Sequence, residues 1–487
     1  MDVLIVVGDQ DSFHESDREI VSSPIWLADI LTEEGLIGTF LLQARRAEIL
    51  AEQGRHDVIA ALRRHEIGLH GRDLHPVVPE IVEGLGWAAG VEALDAVEGA
   101  DLALLGKIFD VAPVASSTHR NYTAPQLFGL AHKLRLPYLF GPPAAAPALS
   151  LSWYAGALNV PFNSPVPDFL GFFPAVFDDV LADDEAFLAL LERLRRHVER
   201  SLAAGLPLLV VFTCHPERLC YSGPIEQWLY GNGVNHGRAA VPPGVEVQRS
   251  RADVSRALTN FRTLVRYLRD SPDLEPITVG ETVRRYGQQA LTIGRDELAA
   301  IAEQSRAERQ IAMGVTCSAG EALLGFASSL RTLSVDGRIP MLVERQDCLG
   351  PIDSPPLATE LIESKTITGW GPEVALSDVN ALASALLDVA ATGTLPAAVV
   401  IDRRRIGLGT AFGILAEAYA LANVGQLIET TIVPITSWPR YPEVAGRLAE
   451  AQRLCEEDPL VRPGLSTEAA ALQARLQSWT LKPAIRT

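Results

Sequence analysis

Lysine is nearly missing from this chain of 487 residues: it stands only at Lys107, Lys133, Lys365 and Lys482. Arginine does not make up the deficit. Lys+Arg total 42 against 60 Asp+Glu, a formal net charge of −18. That shortage of positive charge excludes a general binder of nucleic acid or of anionic membranes, because both are held by cationic side chains on phosphates. Cysteine is also scarce. Cys214, Cys220, Cys317, Cys348 and Cys455 form an odd, scattered set with no C-x-x-C pair, which is not a disulfide framework. No apolar run approaches the roughly 18 residues of a membrane span. The opening Met1-Asp2-Val3-Leu4-Ile5 lacks the basic region and cleavage site of a secretory leader. The expectation is a cytoplasmic protein acting on a small molecule or glycan, without nucleic-acid or membrane partners. Homo-oligomerisation stays open.

What the chain does have is apolar residues, at 48% of the sequence, enough for a full-sized core. It also has a dense polar stretch, His65-Glu66-Ile67-Gly68-Leu69-His70-Gly71-Arg72-Asp73-Leu74-His75-Pro76. Ile67 and Leu69 read as a strand that runs into a turn-rich loop, the usual way a scaffold delivers side chains to a site. His70 and His75 are candidate imidazole ligands for a metal, with Asp73 an oxygen ligand between them.

Taken in order, Val3 to Val7 is a continuous β-branched run, as in a buried parallel strand. Asp9 and Asp11 stand just beyond it, where parallel α/β folds carry chemistry. Helical spacing over Pro24–Glu34 leads to a strand at 38–42. Two helices over 45–64 lead to the strand at 66–69. Helices are read over 79–90 and 91–98. Thr118 to Pro125, with Arg120 and Tyr122, is a donor-rich loop. Another strand is read at Pro137–Gly141, and Trp153 follows at a candidate pocket wall. A long helix over 183–204 precedes an apolar strand, Leu206–Phe212. That strand ends in Thr213-Cys214-His215-Pro216-Glu217, which makes His215 a candidate general acid or base. Trp228 and Tyr230 lie on the loop after it. A helix over 251–270 and a last strand at 277–279 close a unit of residues 1–287. The alternation of strands and helices predicts a parallel sheet or barrel with helices outside.

Residues 288–487 read as a mostly helical α/β unit with a weak internal repeat, Ser318 to Pro340 against Ser377 to Pro396. Gly407, Gly409 and Gly413 follow a strand. Their spacing is one residue off the dinucleotide fingerprint and no Lys-Ser/Thr follows, so no nucleotide cofactor is expected.

Residues 1–287 resemble the polysaccharide deacetylase family (NodB homology, carbohydrate esterase family 4). The likeness is carried by Gly54-Arg55-His56-Asp57-Val58-Ile59 leading into His65 to His70 and His75-Pro76, and by Phe212 to Glu217. It implies a distorted (β/α)7-type barrel and metal-dependent removal of an acetyl group from an N-acetylated, sugar-like substrate. By resemblance Asp9 would be the base, Asp11, His70 and His75 the ligands of a divalent metal, and His215 the general acid. The family's paired carboxylates are adjacent, whereas Gln10 separates Asp9 and Asp11, so those two roles are exchangeable. The family's histidines are four apart, whereas His70 and His75 are five apart, so Asp73 is an alternative ligand. Zinc is the first choice of metal, with cobalt, nickel or iron as alternatives. Arg120, Tyr122, Trp153 and Trp228 would line the substrate site. Two other readings stay open: an amidohydrolase on a small non-sugar C–N bond, and an inactive barrel used for binding.

Overall fold

The computed structural model describes residues 1–9, 13–117, 136, 138–139, 151–160, 172–176, 178–205, 209–223, 225–287, 289–352, 373–401, 404–427, 432–434, 438–446 and 454–486. Its first part alternates strand and helix. β1 (Asp2–Asp9), α1 (Arg18–Glu33), β2 (Thr39–Leu42), α2 (Ala44–Glu52), α3 (His56–Leu62) and β3 (Glu66–Leu69) come first. β4 (Phe172–Val176), α4 (Asp184–Ala203), β5 (Leu209–Cys214), α5 (Arg251–Asp270) and β6 (Glu275–Ile277) complete the sheet and its main helices. Every pairing is parallel, in the order β3-β2-β1-β5-β4, with β6 against the start of β1. This is the α/β architecture expected, a parallel sheet with helices packed against it. An isolated parallel bridge from Leu69 to Ser116 extends it beyond β3.

The two faces of β1 are both buried but packed differently. Val3, Ile5 and Val7 join the large core under the helices, with Val21, Leu27 and Leu31 of α1 and Leu264 and Leu268 of α5. Leu4 and Val6 turn the other way, to Leu41, Ala115, Leu158 and Val160. We call these the helix face and the inner face.

Helix α1 starts earlier than its sequence suggests. Asp17 caps it by accepting from the amides of Glu19 and Ile20 at 2.9 and 3.2 Å, and Pro24 lies inside the helix rather than at its first turn. A proline there leaves the carbonyl four residues back without its helical donor. That carbonyl, of Ile20, instead accepts from Ser23 Oγ at 2.8 Å and from Arg46 Nη2 at 3.4 Å. The expected helix over 79–90 divides into Val78–Ile81 and Trp87–Leu94. The latter runs through a π-turn, Asp95–Gly99, into Ala100–Phe109.

Beyond residue 288 a second core gathers around Ala319–Asp336, Leu376–Ala390 and Leu408–Asn423. Gly409 and Gly413 serve packing there. A Cβ on Gly409 would sit 1.8 Å from the Pro439 carbonyl, and one on Gly413 would sit 2.1 Å from the Trp438 indole nitrogen. The chain then returns to the first part. Lys482–Pro483 pairs antiparallel with Ser152–Trp153, and the Lys482 ammonium bonds to Glu321 and to Gln289. Among the described residues no helix is long and apolar enough to cross a membrane.

Candidate active site

Register fixes what meets at the carboxyl end of the sheet. Asp9 is level with Leu42, Leu42 with Leu69, Leu69 with Ser116, and Val7 with Cys214. One residue further along each strand come Gln43, His70, Ser117 and His215. Leu42, Leu69, Val7 and Cys214 all belong to the helix-face core. Because side chains alternate, the residues that follow them turn to the inner face.

His215 is held by Asp178, the first residue of the short helix after β4. The His215 amide donates to Asp178 Oδ1 at 2.8 Å, and the ring Nδ1 meets Oδ2 at 2.8 Å. Burial pushes the imidazole pKa down, but the charge and hydrogen bond of Asp178, joined by the charge of Glu217, outweigh it and raise the pKa to about 9. Burial pushes the Asp178 carboxyl up, and the His215 imidazolium outweighs it and holds that pKa below its ordinary value. The pair is therefore charged at neutral pH, with Nδ1 on the carboxylate and Nε2 as the other proton-bearing nitrogen. The side chains remain 17% and 15% exposed. They line a cleft of about 100 Å³ together with Glu217, Arg218, Tyr221 and Tyr230.

His70 is its opposite. Burial, with a smaller contribution from the His215 charge, lowers its pKa to about 3. Its backbone amide donates to Leu42 O at 2.8 Å, which fixes its height at the sheet edge. One edge thus carries a protonated and a neutral imidazole within electrostatic reach of each other.

Asp9 is not part of this group. It follows Val7 by two residues and so shares Val7's helix face. It is fully buried there against Arg46 of α2, also fully buried, with Nε 3.1 and 3.3 Å from the carboxylate oxygens. The same guanidinium reaches the Ile20 and Val21 carbonyls at 3.4 Å. An ion pair sunk this deep persists when both charges are matched and hydrogen-bonded.

His75 has partners of its own. Its Nδ1 lies 3.3 Å from Glu80 Oε2 and its Nε2 3.1 Å from the Tyr230 carbonyl. Asp73 Oδ1 accepts from the Leu74 amide at 2.8 Å. Asp11, Arg120 and Tyr122 lie outside the described residues. Trp153 sits in the small sheet beside Lys482, and Trp228 is 39% exposed on the helix Glu226–Tyr230.

Among the described residues no group of three His, Cys, Asp or Glu side chains is arranged to hold a metal ion. Of the expected ligands that are described, the strand register places His70 at the inner edge, and His75 is engaged by Glu80 and the Tyr230 carbonyl.

Sequence reasoning missed Asp178, Arg46 and Gln43. The available signal for Asp178 was a carboxylate just past an apolar run, the same signal that singled out Asp9.

No family model matches the sequence, and no curated protein matches it. Solved structures do resemble it. A "probable Polysaccharide deacetylase" from Pseudomonas aeruginosa PAO1 is 12% identical, with 58% of this chain and 89% of that one covered, at a TM-score of 0.36. The Puue allantoinase is 13% identical over the same shares, at 0.35. A family 4 acetyl xylan esterase from Clostridium thermocellum, solved with a cobalt ion, is 11% identical over 58% and 91%, at 0.27.

Proposed function

We propose that the protein is a hydrolase of amide or ester bonds in which the Asp178–His215 pair is the proton-transfer device. The observation that carries this reading is the imidazolium held at a partly open cleft by a carboxylate 2.8 Å away. A group with a pKa raised to about 9 is protonated at neutral pH and can hand its Nε2 proton to a departing amine or alkoxide. His70 stays neutral over the same range and can accept a hydrogen bond from an attacking water. Arg218, beside the cleft, offers positive charge to an oxyanion.

The sequence resemblance makes N-acetyl groups the first substrates to try. The cleft volume favours a second reading beside it. At about 100 Å³ it admits a group of acetyl size rather than a sugar ring, which suits a small amide or ureide equally well. A divalent cation, zinc first, would need Asp11 and a further ligand beside His70.

The test is a panel of N-acetyl sugars, acetyl esters and small amides, offered to the full chain with and without added zinc, cobalt or nickel. Release of acetate or amine is followed for the wild type and for His215→Ala. Turnover that vanishes in the variant while its Tm holds supports the reading. Turnover that survives in the variant, or no turnover of any member, overturns it.

A further inference from the structure

Two side chains at the inner sheet edge have no role in the reading above. Gln43 follows β2 and Ser117 follows the bridge to Leu69, and both are fully buried. Among the described residues neither the Gln43 carboxamide, at Oε1 or Nε2, nor Ser117 Oγ has a hydrogen-bond partner. Their backbones are fully engaged: the Gln43 amide donates to Asp9 O at 3.2 Å and the Ser117 amide to Leu69 O at 2.8 Å. The strands cannot shift to satisfy the side chains without breaking these bonds.

Their placement is defined. Gln43, His70 and Ser117 each follow one residue of a single register row, Leu42, Leu69 and Ser116. Adjacent strands are about 4.8 Å apart, so Gln43 and Ser117 stand on the order of 10 Å apart with His70 between them. Both turn to the inner face, as His70 and His215 do. A buried amide or hydroxyl left without a partner destabilises a fold, and each such group in a native chain calls for an explanation. Strain is not the explanation here, since Gln43 has ordinary extended backbone, φ −65° and ψ 138°.

We infer that Gln43 and Ser117 form a recognition subsite for a neutral carboxamide group of a ligand. A secondary carboxamide presents a carbonyl acceptor on one edge and an N–H donor on the other, so the Gln43 side chain can bond to one of these edges. Ser117 can donate or accept at the far end. Neither residue carries charge, so a carboxylate or an ammonium ion would be desolvated there without compensation. Such a site discriminates strongly, because the wrong ligand leaves its polar groups unpaired.

The choice of probe rests on the hydrolase reading; the readout does not. N-methylacetamide, acetate and methylammonium are each titrated against the full chain by ligand-observed NMR, using wild type, Gln43→Met and Ser117→Ala. The expected result is binding of N-methylacetamide in preference to both ions. Gln43→Met should weaken it about tenfold, as loss of a hydrogen bond to the ligand does, and Ser117→Ala by less. The methionine variant should also melt higher than the wild type, because it removes an orphaned polar group while filling the same volume. Equal binding in wild type and Gln43→Met overturns the inference, and so does the absence of N-methylacetamide binding to the wild type. A higher Tm with unchanged binding does the same, since it marks a fold defect or a site for water. If the panel shows no turnover while Gln43→Met loses N-methylacetamide, the hydrolase reading fails and the subsite stands. If turnover proceeds with KM and binding indifferent to Gln43→Met, the reverse holds.

Discussion

Two carboxylates stand at the same edge of the same sheet, and each meets a cation. Asp9 meets Arg46 on the helix face, where both side chains are shut away from solvent. Asp178 meets His215 at the inner face, where each keeps some exposure. The chemistry differs because the cations differ. Arginine never gives up its proton under ordinary conditions, so the Asp9 pair is a fixed strut between β1, α1 and α2. Histidine can release its proton, so the Asp178 pair can do work. One residue of strand alternation separates a structural pair from a reactive one.

The largest expected effect tests the reactive side. His215→Ala should lower the turnover of any substrate the panel reveals by about 10²- to 10⁴-fold, the usual contribution of a positioned acid, with little change in a urea midpoint. Next comes the strut. Asp9→Ala leaves Arg46 buried and unmatched and should cost about 3–5 kcal/mol in urea unfolding. The double variant Asp9→Leu, Arg46→Met should recover most of that loss. If Asp9→Ala instead abolishes turnover and leaves stability untouched, the contrast between the two pairs is void and Asp9 is a base after all.

Two smaller effects sharpen the comparison. Asp178→Asn removes the charge that raises His215, so the imidazole pKa should fall from about 9 toward or below 6.5, read from its ring proton shifts. The alkaline limb of the pH–rate profile should move with it.

The smallest effect is on stability against pH. His215 has a folded pKa above its unfolded value of 6.5, so its contribution is whole below pH 6.5 and is lost as pH rises through about 9. His70 has a folded pKa below 6.5, so the unfolded chain binds a proton the native one refuses. Stability therefore falls as pH drops from 6.5 toward about 3. Together the two histidines should put a maximum near pH 6.5. Comparing urea midpoints of wild type, His70→Gln and His215→Gln across that range checks each slope separately.

Much of the scaffold was legible. The strands at the start of the chain, at 66–69 and before His215 announce themselves as apolar runs ending in polar residues. Which way Asp9 faces was not legible, for a physical reason. Val3-Leu4-Ile5-Val6-Val7 is apolar at every position because the strand is buried on both faces, so no alternation marks the inner side. The face is decided by what packs against it, α1 and α5 on one side and the segments near 115 and 158 on the other, and those neighbours are remote in sequence. His215 could be singled out because its strand ends in Cys-His-Pro. Its partner Asp178 could not be paired with it, because β4 meets β5 only through the fold. For His75, proximity to His70 along the chain suggests a shared ligand role, and its contacts with Glu80 and the Tyr230 carbonyl, remote in sequence from His70, were not legible.

The return of Lys482–Pro483 to Ser152–Trp153 bears on how the molecule is made. A ribosome must travel past residue 483, through the whole histidine-poor region, before the small sheet of Tyr138–Leu139, Ser152–Tyr154 and Ala157–Val160 gains its last strand. Until then, the portion carrying the cleft presents an unsealed strand border, the kind of surface that recruits a stray copy of itself. A fragment ending at residue 287 would keep both histidines and carry that border permanently, and it should aggregate where the intact chain does not.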